Sequence, residues 1–181
     1  DMYIQRILEC QLVDGGWSLF GGTSSAASLD GVSDPDITGM ALQALAKYQD
    51  RPEVKKATEE ALECMSEMQD NKGGFSSWGT PNSESCVQMI VALCELGISL
   101  DDARFVKNGN TILDNLMTYY KKGEGFLHTE EGKGSSQMAS EQGFYAIVAA
   151  QRARQGKNSL YRMSDSLKIT GTAEAAAPGS G

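Results

Sequence analysis

Residues 11–17 read QLVDGGW, and residues 69–75 read QDNKGGF. Glutamine holds the first place in both, glycines the fifth and sixth, and an aromatic ring the seventh. Residues 120–126, YKKGEGF, carry the pattern a third time with two changes, Tyr120 for the glutamine and Glu124 for the fifth-place glycine. A segment that returns in this way marks the join of a repeating unit, and the reading of the chain follows from what flanks it.

Before each copy lies a stripe of apolar residues at the three-and-four spacing of an amphipathic helix. The stripes are Ile4, Ile7 and Leu8; then Val54, Ala57, Ala61, Met65 and Met68; then Leu113, Leu116, Met117 and Tyr120. After each copy lies a second helix: DITGMALQALAKY at 36–48, ESCVQMIVALCELG at 84–97 and EQGFYAIVAAQRAR at 141–154. These align without gaps, so Asp36, Glu84 and Glu141 share one position. Val87, Met89, Ile90, Val91, Ala92 and Leu93 leave no polar face on the middle one, which must therefore be covered on more than one side. The unit is a half-exposed outer helix, a joint, a loop and a buried inner helix, over roughly 1–48, 53–98 and 102–154. No stretch reads as strand.

The joint residues have a mechanical role in this layout. Glycines supply the positive backbone angles with which a helix reverses, where another residue costs about 1 kcal/mol or more. The glutamine amide is expected to bond orphan backbone groups at a neighbouring helix end, with the aromatic ring sealing the gap between repeats.

Composition narrows the functional classes. The 181 residues hold 24 acids against 16 Lys plus Arg, a formal charge of −8, and no basic run tracks a phosphate backbone; a nucleic-acid partner is not expected. No stretch approaches the ~20 apolar residues of a membrane span, so membrane insertion is not expected either. Cys10, Cys64, Cys86 and Cys94 form no C-x-x-C pair and read as small core residues, with disulfides left open.

An outer helix, a Gln-x-x-x-Gly-x-aromatic joint and an inner helix opening on an acid resemble the repeat of squalene and oxidosqualene cyclases, protein prenyltransferase β subunits and their relatives. The resemblance covers residues 1 to about 154. It implies an all-α fold, a partial α/α toroid of about three outer–inner helix pairs with QW-type joints. Transcobalamin and intrinsic factor use the same toroid to bind cobalamin. The wording of the repeats looks closest to prenyltransferase-repeat domains of secreted or surface-anchored Gram-positive proteins, which implies an extracellular or cell-surface setting.

The resemblance also tests which activities the residues retain. Hopene-type cyclases protonate an alkene with the middle acid of Asp-x-Asp-Asp-Thr. Here Asp34-Pro35-Asp36-Ile37-Thr38 keeps both outer matches and the middle acid, but Ile37 replaces the third carboxylate. Asp36 has a second reading as a first-turn acid favoured by the helix dipole, after Asp34 or Ser33 as cap and with Pro35 near the first helical position. Glu84 and Glu141, at the same place in their repeats, fit that helix-start rule. Prenyltransferase zinc needs a cysteine where Gly16 stands and a histidine where Ile37 stands, so those positions cannot form that site, and no metal is expected. The single histidine, His128, reads as a solvated loop residue, with Glu130 and Glu131 as the only rival ligand cluster.

The sequence therefore points to a non-catalytic module whose concave face binds a small molecule, glycan or peptide, a corrinoid among them, or serves as scaffold. Asp36, Glu84, Glu141, Trp17, Phe75 and Phe126 are the expected ligand-facing residues. The alternative is a divergent terpenoid cyclase or prenyltransferase-like enzyme with Asp34 and Asp36 catalytic. The expected organisation is a repeat domain at 1–154, an extension at 155–167 and a flexible linker at 168–181. Inner helices apolar on both faces call for missing upstream repeats or a second copy to close the ring.

Overall fold

A computed structural model of the chain describes residues 1–19 and 31–166. It is mostly helical. Six α-helices are present among the described residues: α1 (Met2–Glu9), α2 (Pro35–Leu45), α3 (Pro52–Met68), α4 (Ser83–Leu96), α5 (Ile112–Thr118) and α6 (Gln137–Arg154). Helices α2, α4 and α6 are the ones the repeat reading placed as inner, and α1, α3 and α5 the ones it placed as outer. Helix α4 packs between α2 and α6, with α5 also against it, while α3 packs against α2. The all-round apolar character of α4 has this cause: Val87 and Met89 to Leu93 are fully buried. The tail from residue 168 and most of the stretch after the first joint lie outside the described residues.

The helix ends follow local chemistry. Asp34 caps α2, its Oδ1 accepting from the backbone N–H groups of Asp36 (3.0 Å) and Ile37 (3.2 Å), with Pro35 at the first helical place. Ser33, the other cap candidate, is used elsewhere: its N–H and hydroxyl both donate to the Asp14 carboxylate of the first joint, at 2.7 and 2.6 Å. Asn82 caps α4, and Gly97 ends it at φ 72°. Helix α6 starts a turn earlier than expected, at Gln137 behind the Ser136 cap. Glu141 is thus inside the helix, and the helix-start rule covers Asp36 and Glu84 but not Glu141.

The first two joints are built alike. Gln11 Nε2 donates to the Gly15 carbonyl (2.6 Å) and to Ala57 in α3 (2.9 Å); Gln69 Nε2 donates to Gly73 (2.9 Å) and to Phe105 (3.0 Å). The amide thus ties each joint to the next repeat, at the first joint through a carbonyl well inside α3 and at the second through Phe105 O at the end of a 3₁₀ turn (Ala103–Phe105), so the expected bonding at a neighbouring helix end holds for the second joint only. At the first joint the aromatic adds a bond of its own, Trp17 Nε1 donating at 2.7 Å to Ile7 O in the last turn of α1, an oxygen that also accepts from the Cys10 N–H at 3.1 Å. Gly16 and Gly74 have no room for a Cβ, which would collide with Ser33 and Thr38 in one case and with Asn115 in the other. The third joint, lacking glutamine, closes as a hairpin of β3 (Tyr120–Lys121) against β4 (Gly125–Phe126). A second hairpin pairs β1 (Ser76–Ser77) with β2 (Thr80–Pro81). These short ladders depart from the strand-free expectation: two residues a side are too few to show a period-two pattern.

Residues beyond α6 pack back on the inner helices. Ser159 Oγ and Tyr161 N donate to the two carboxylate oxygens of Glu95, at 2.6 and 3.2 Å. The Tyr161 hydroxyl donates to Gln43 Oε1 of α2 at 2.8 Å and receives one from Tyr145 of α6 at 2.9 Å. Through these bonds the segment spans all three inner helices.

Candidate functional site

The N-terminal ends of α2 and α4 bring together Asp34, Asp36 and Glu84, and the segment that follows β4 adds His128. That segment docks on α4 by two bonds, Ser83 N–H to His128 O (3.0 Å) and the Ser83 hydroxyl to Leu127 O (2.8 Å). His128 Nδ1 consequently lies 2.8 Å from Glu84 Oε2. The rival cluster of His128 with Glu130 and Glu131 does not form among the described residues; Glu130 pairs with Lys72 at 3.5 Å. His128 is still half exposed, but its ring is anchored.

The supply of donors to these acids is short. Asp34 is saturated, with two backbone N–H groups on one oxygen and the Ser77 hydroxyl on the other. Glu84 is 5% exposed; its Oε2 takes His128 and lies 3.0 Å from the Ser83 hydroxyl, whose single proton is also claimed by Leu127 O. Glu84 Oε1 and Asp36 Oδ1 are both buried and have no hydrogen-bond partner. An ionised carboxylate is acceptor-only, so each such oxygen is an unmet demand for a donor. Burial pushes the Asp36 carboxyl above its ordinary value; the Ser85 hydroxyl opposes this, the negative charges of Asp34 and Glu84 add to it, and His128 opposes it.

One turn along the same faces lies a cavity. Met40 follows Asp36, and Gln88 follows Glu84, at the i+4 spacing that stacks side chains on one side of a helix. Met40, Gln43, Ala44, Gln88, Tyr145 and Tyr161 line a space of about 500 Å³ there, with Lys47, Arg162 and Glu95 also on its wall, while Asp36 and Glu84 do not line it. Two of its polar residues are joined by their amides, Gln43 Nε2 donating to Gln88 Oε1 (2.9 Å), and Gln88 Nε2 donates onward to Gln142 Oε1 (3.1 Å).

The other expected ligand-facing residues are elsewhere. Trp17, Phe75 and Phe126 are 3%, 1% and 1% exposed, held in the core cluster with no face on the cavity. Phe126 packs between Tyr120 and Phe144 rings at centroid distances of 5.3 and 5.6 Å. Glu141 is exposed and accepts from Gln137 at 3.1 Å. Only Asp34, Asp36 and Glu84 converge. Sequence reading missed Ser77, Ser85, the three glutamines and Trp78, which is 66% exposed at the β1–β2 turn with φ 51°, a backbone angle uncommon for a non-glycine residue. Loop residues brought in from another repeat carry no local signal; the glutamines at 43, 88 and 142 stood at three different repeat positions and so looked unrelated.

No group of three His, Cys, Asp or Glu residues among the described residues is arranged to hold a metal ion. The four cysteines are free thiols. Burial pushes Cys86 up to about 12 and Cys94 up to about 11, which makes both inert as nucleophiles. Comparison of the chain with protein-family models, with curated proteins and with solved structures returned no match.

Proposed function

We propose that the chain is a non-catalytic binding module, part of an α/α toroid, that holds a small molecule, glycan or peptide on the face shared by its inner helices. The observation that carries this reading is the ~500 Å³ space lined by Met40, Gln88 and Tyr145, with two unpartnered carboxylate oxygens one turn away. Such a space has the size of a ligand pocket, mixes apolar walls with a few polar groups, and lacks an assembled nucleophile or metal centre among the described residues. The setting we propose is extracellular or at a Gram-positive cell surface, a corrinoid being one ligand in the class. Two further features support continuation of the ring by further repeats or a second copy. Met138, Phe144 and Val148 are exposed along α6, and at the other end Tyr3, Ile7, Ile37 and Ala41 line an apolar groove of about 310 Å³.

Isothermal titration against cobalamin, cell-wall glycan fragments and short peptides tests the reading. Binding by one class, weakened by Tyr145→Ala and Gln88→Ala, is expected. Silence across the panel leaves only a scaffold.

The raised proton affinity of Asp36 favours a second reading, a divergent cyclase or prenyltransferase-like enzyme with Asp36 as acid. Incubation with squalene and with prenyl diphosphates decides it. Turnover that survives Asp36→Asn removes this residue from any mechanism.

A further inference from the structure

Helices α2, α4 and α6 pack side by side through matching repeat positions, and at the two sides of this set half of that contact is left open. Asp36, Glu84 and Glu141 are aligned, so Gly39, Val87 and Phe144 stand three places on, and Gln43, Val91 and Val148 seven places on. In α2 these positions face α4: a Cβ on Gly39 would lie 2.8 Å from the Gln88 Cβ, and Gln43 Nε2 donates to Gln88 O at 3.0 Å. In α4 they are Val87 and Val91, both fully buried. In α6 they are Phe144 and Val148, which are 51% and 47% exposed, although the Phe144 ring also meets Phe126. Met138, Glu141, Phe144 and Val148 follow at three-three-four spacing, so α6 presents one exposed stripe of three apolar residues and an acid. The opposite half lies at α2. Gln142, one place after the aligned acid, accepts from Gln88 of the preceding helix at 3.1 Å. The same place in α2 is Ile37, which lines the apolar groove of about 310 Å³ with Tyr3, Ile7 and Ala41, and Arg6 stands on its wall.

We infer that a second copy of this chain docks head to tail, the α6 stripe of one copy entering the α1–α2 groove of the next, with Glu141 paired to Arg6. The inference rests on the partial-toroid reading above and commits the continuation of its ring to one occupant. Two observations select that occupant. The contacts inside the chain are lined by glutamines, but Val148 stands where Gln43 does and Ile37 where Gln142 does, so the two open halves match each other in polarity better than either matches an internal face. The stripe also carries an acid and the groove a cation. Each is engaged only by a neighbour on its own helix among the described residues, Glu141 by Gln137 and Arg6 by Glu9, and such solvated contacts exchange at little cost. Stripe on stripe would bring two acids onto one apolar contact, and groove on groove two cations. A head-to-tail contact uses two different surfaces, so the array extends until it closes on itself. Glu141, which serves neither a helix start nor the acid cluster, gains a place in this contact.

The test is sedimentation velocity of the full chain over rising concentration, where concentration-dependent association is expected. Val148→Glu in the stripe and Ala41→Glu in the groove should each weaken it by at least about tenfold, because each puts an unpaired charge into an apolar contact. Both variants are checked for a native circular dichroism spectrum, and Tyr3→Glu, at an exposed position, takes the place of Ala41→Glu if the latter disturbs α2. Mixed one to one, the two blocked variants should associate again and only as far as a dimer, since the first keeps its groove and the second its stripe. Arg6→Glu and Glu141→Arg should each weaken association, and the two together in one chain should restore it, while Glu53→Arg on exposed α3 surface should change nothing. A chain that stays monomeric throughout overturns the second copy. A mixture of blocked variants that stays monomeric, or a double charge reversal that restores nothing, overturns the head-to-tail contact. The ligand titrations above are read separately, so neither result touches the binding reading.

Discussion

Glu84 and Glu95 lie on one face of α4, about three turns apart, and each is 5% exposed. Their surroundings differ in an instructive way. Glu95 sits at the C-terminal end, where the helix dipole disfavours a negative charge, yet both its oxygens are satisfied, by Ser159 and by the Tyr161 backbone. Glu84 sits at the N-terminal end, where the dipole favours it, and one of its oxygens has no partner. The helix end that needed help received it from a returning segment of chain, and the end that did not was left open. A buried polar group left unmet costs about 1–3 kcal/mol, a cost a fold sustains where something outside it supplies the bond.

The largest expected effect breaks the satisfied end. Glu95→Ala removes the acceptor for two donors and is expected to cost about 2 kcal/mol, lowering the melting temperature by ~4–8 °C in a chain of this size. A loss no larger than that of an exposed glutamate such as Glu53 would show that the returning segment adds nothing.

The open end should behave in the opposite sense. Because burial raises the Asp36 proton affinity, the folded protein binds that proton more readily than the unfolded chain, and the ionised form is a burden at neutral pH. Asp36→Asn is therefore expected to raise stability at pH 7, by under about 1 kcal/mol given the solvent its side chain still sees. As the pH falls through the raised value, the wild-type carboxyl takes up its proton and the gap between the two proteins should close. Melting curves across that range check the sign; a variant less stable at neutral pH would mean that the helix dipole outweighs desolvation.

Smaller still is Glu84→Gln, which keeps an acceptor for His128 and Ser83 and is expected to change stability by no more than about 0.5 kcal/mol. A loss near that of Glu95→Ala would make Glu84 a structural residue.

The finest probe is thiol alkylation, since Cys86 and Cys94 flank the two glutamates and both are buried. Neither should react measurably in the native protein, whereas partly exposed Cys10 should. Glu95→Ala should speed Cys94 and leave Cys86 unchanged, localising the damage to one end of α4.

The same helix shows how far sequence reading reached. Its burial on all sides was legible because six apolar residues left no polar face, and its first-turn acid because capping chemistry is local. The fates of its two glutamates were not legible. Glu84 meets His128 from 44 positions away, and Glu95 meets Ser159 from 64 positions away, across loops that fix no distance in advance. The joint aromatics misled for a related reason: an aromatic beside glycines reads equally well as a ligand platform or as a core plug, and only burial separates the two.

By itself, then, the amino-acid sequence determined the repeat, the alternation of half-exposed and buried helices, the glycine joints and their glutamine staples, because periodicity, backbone freedom and amide hydrogen bonding act within or between adjacent units. Tertiary structure alone decided which acids are satisfied and which are left vacant. That outcome depends on donors arriving from other repeats and from residues beyond α6, and on how much water their arrival expels.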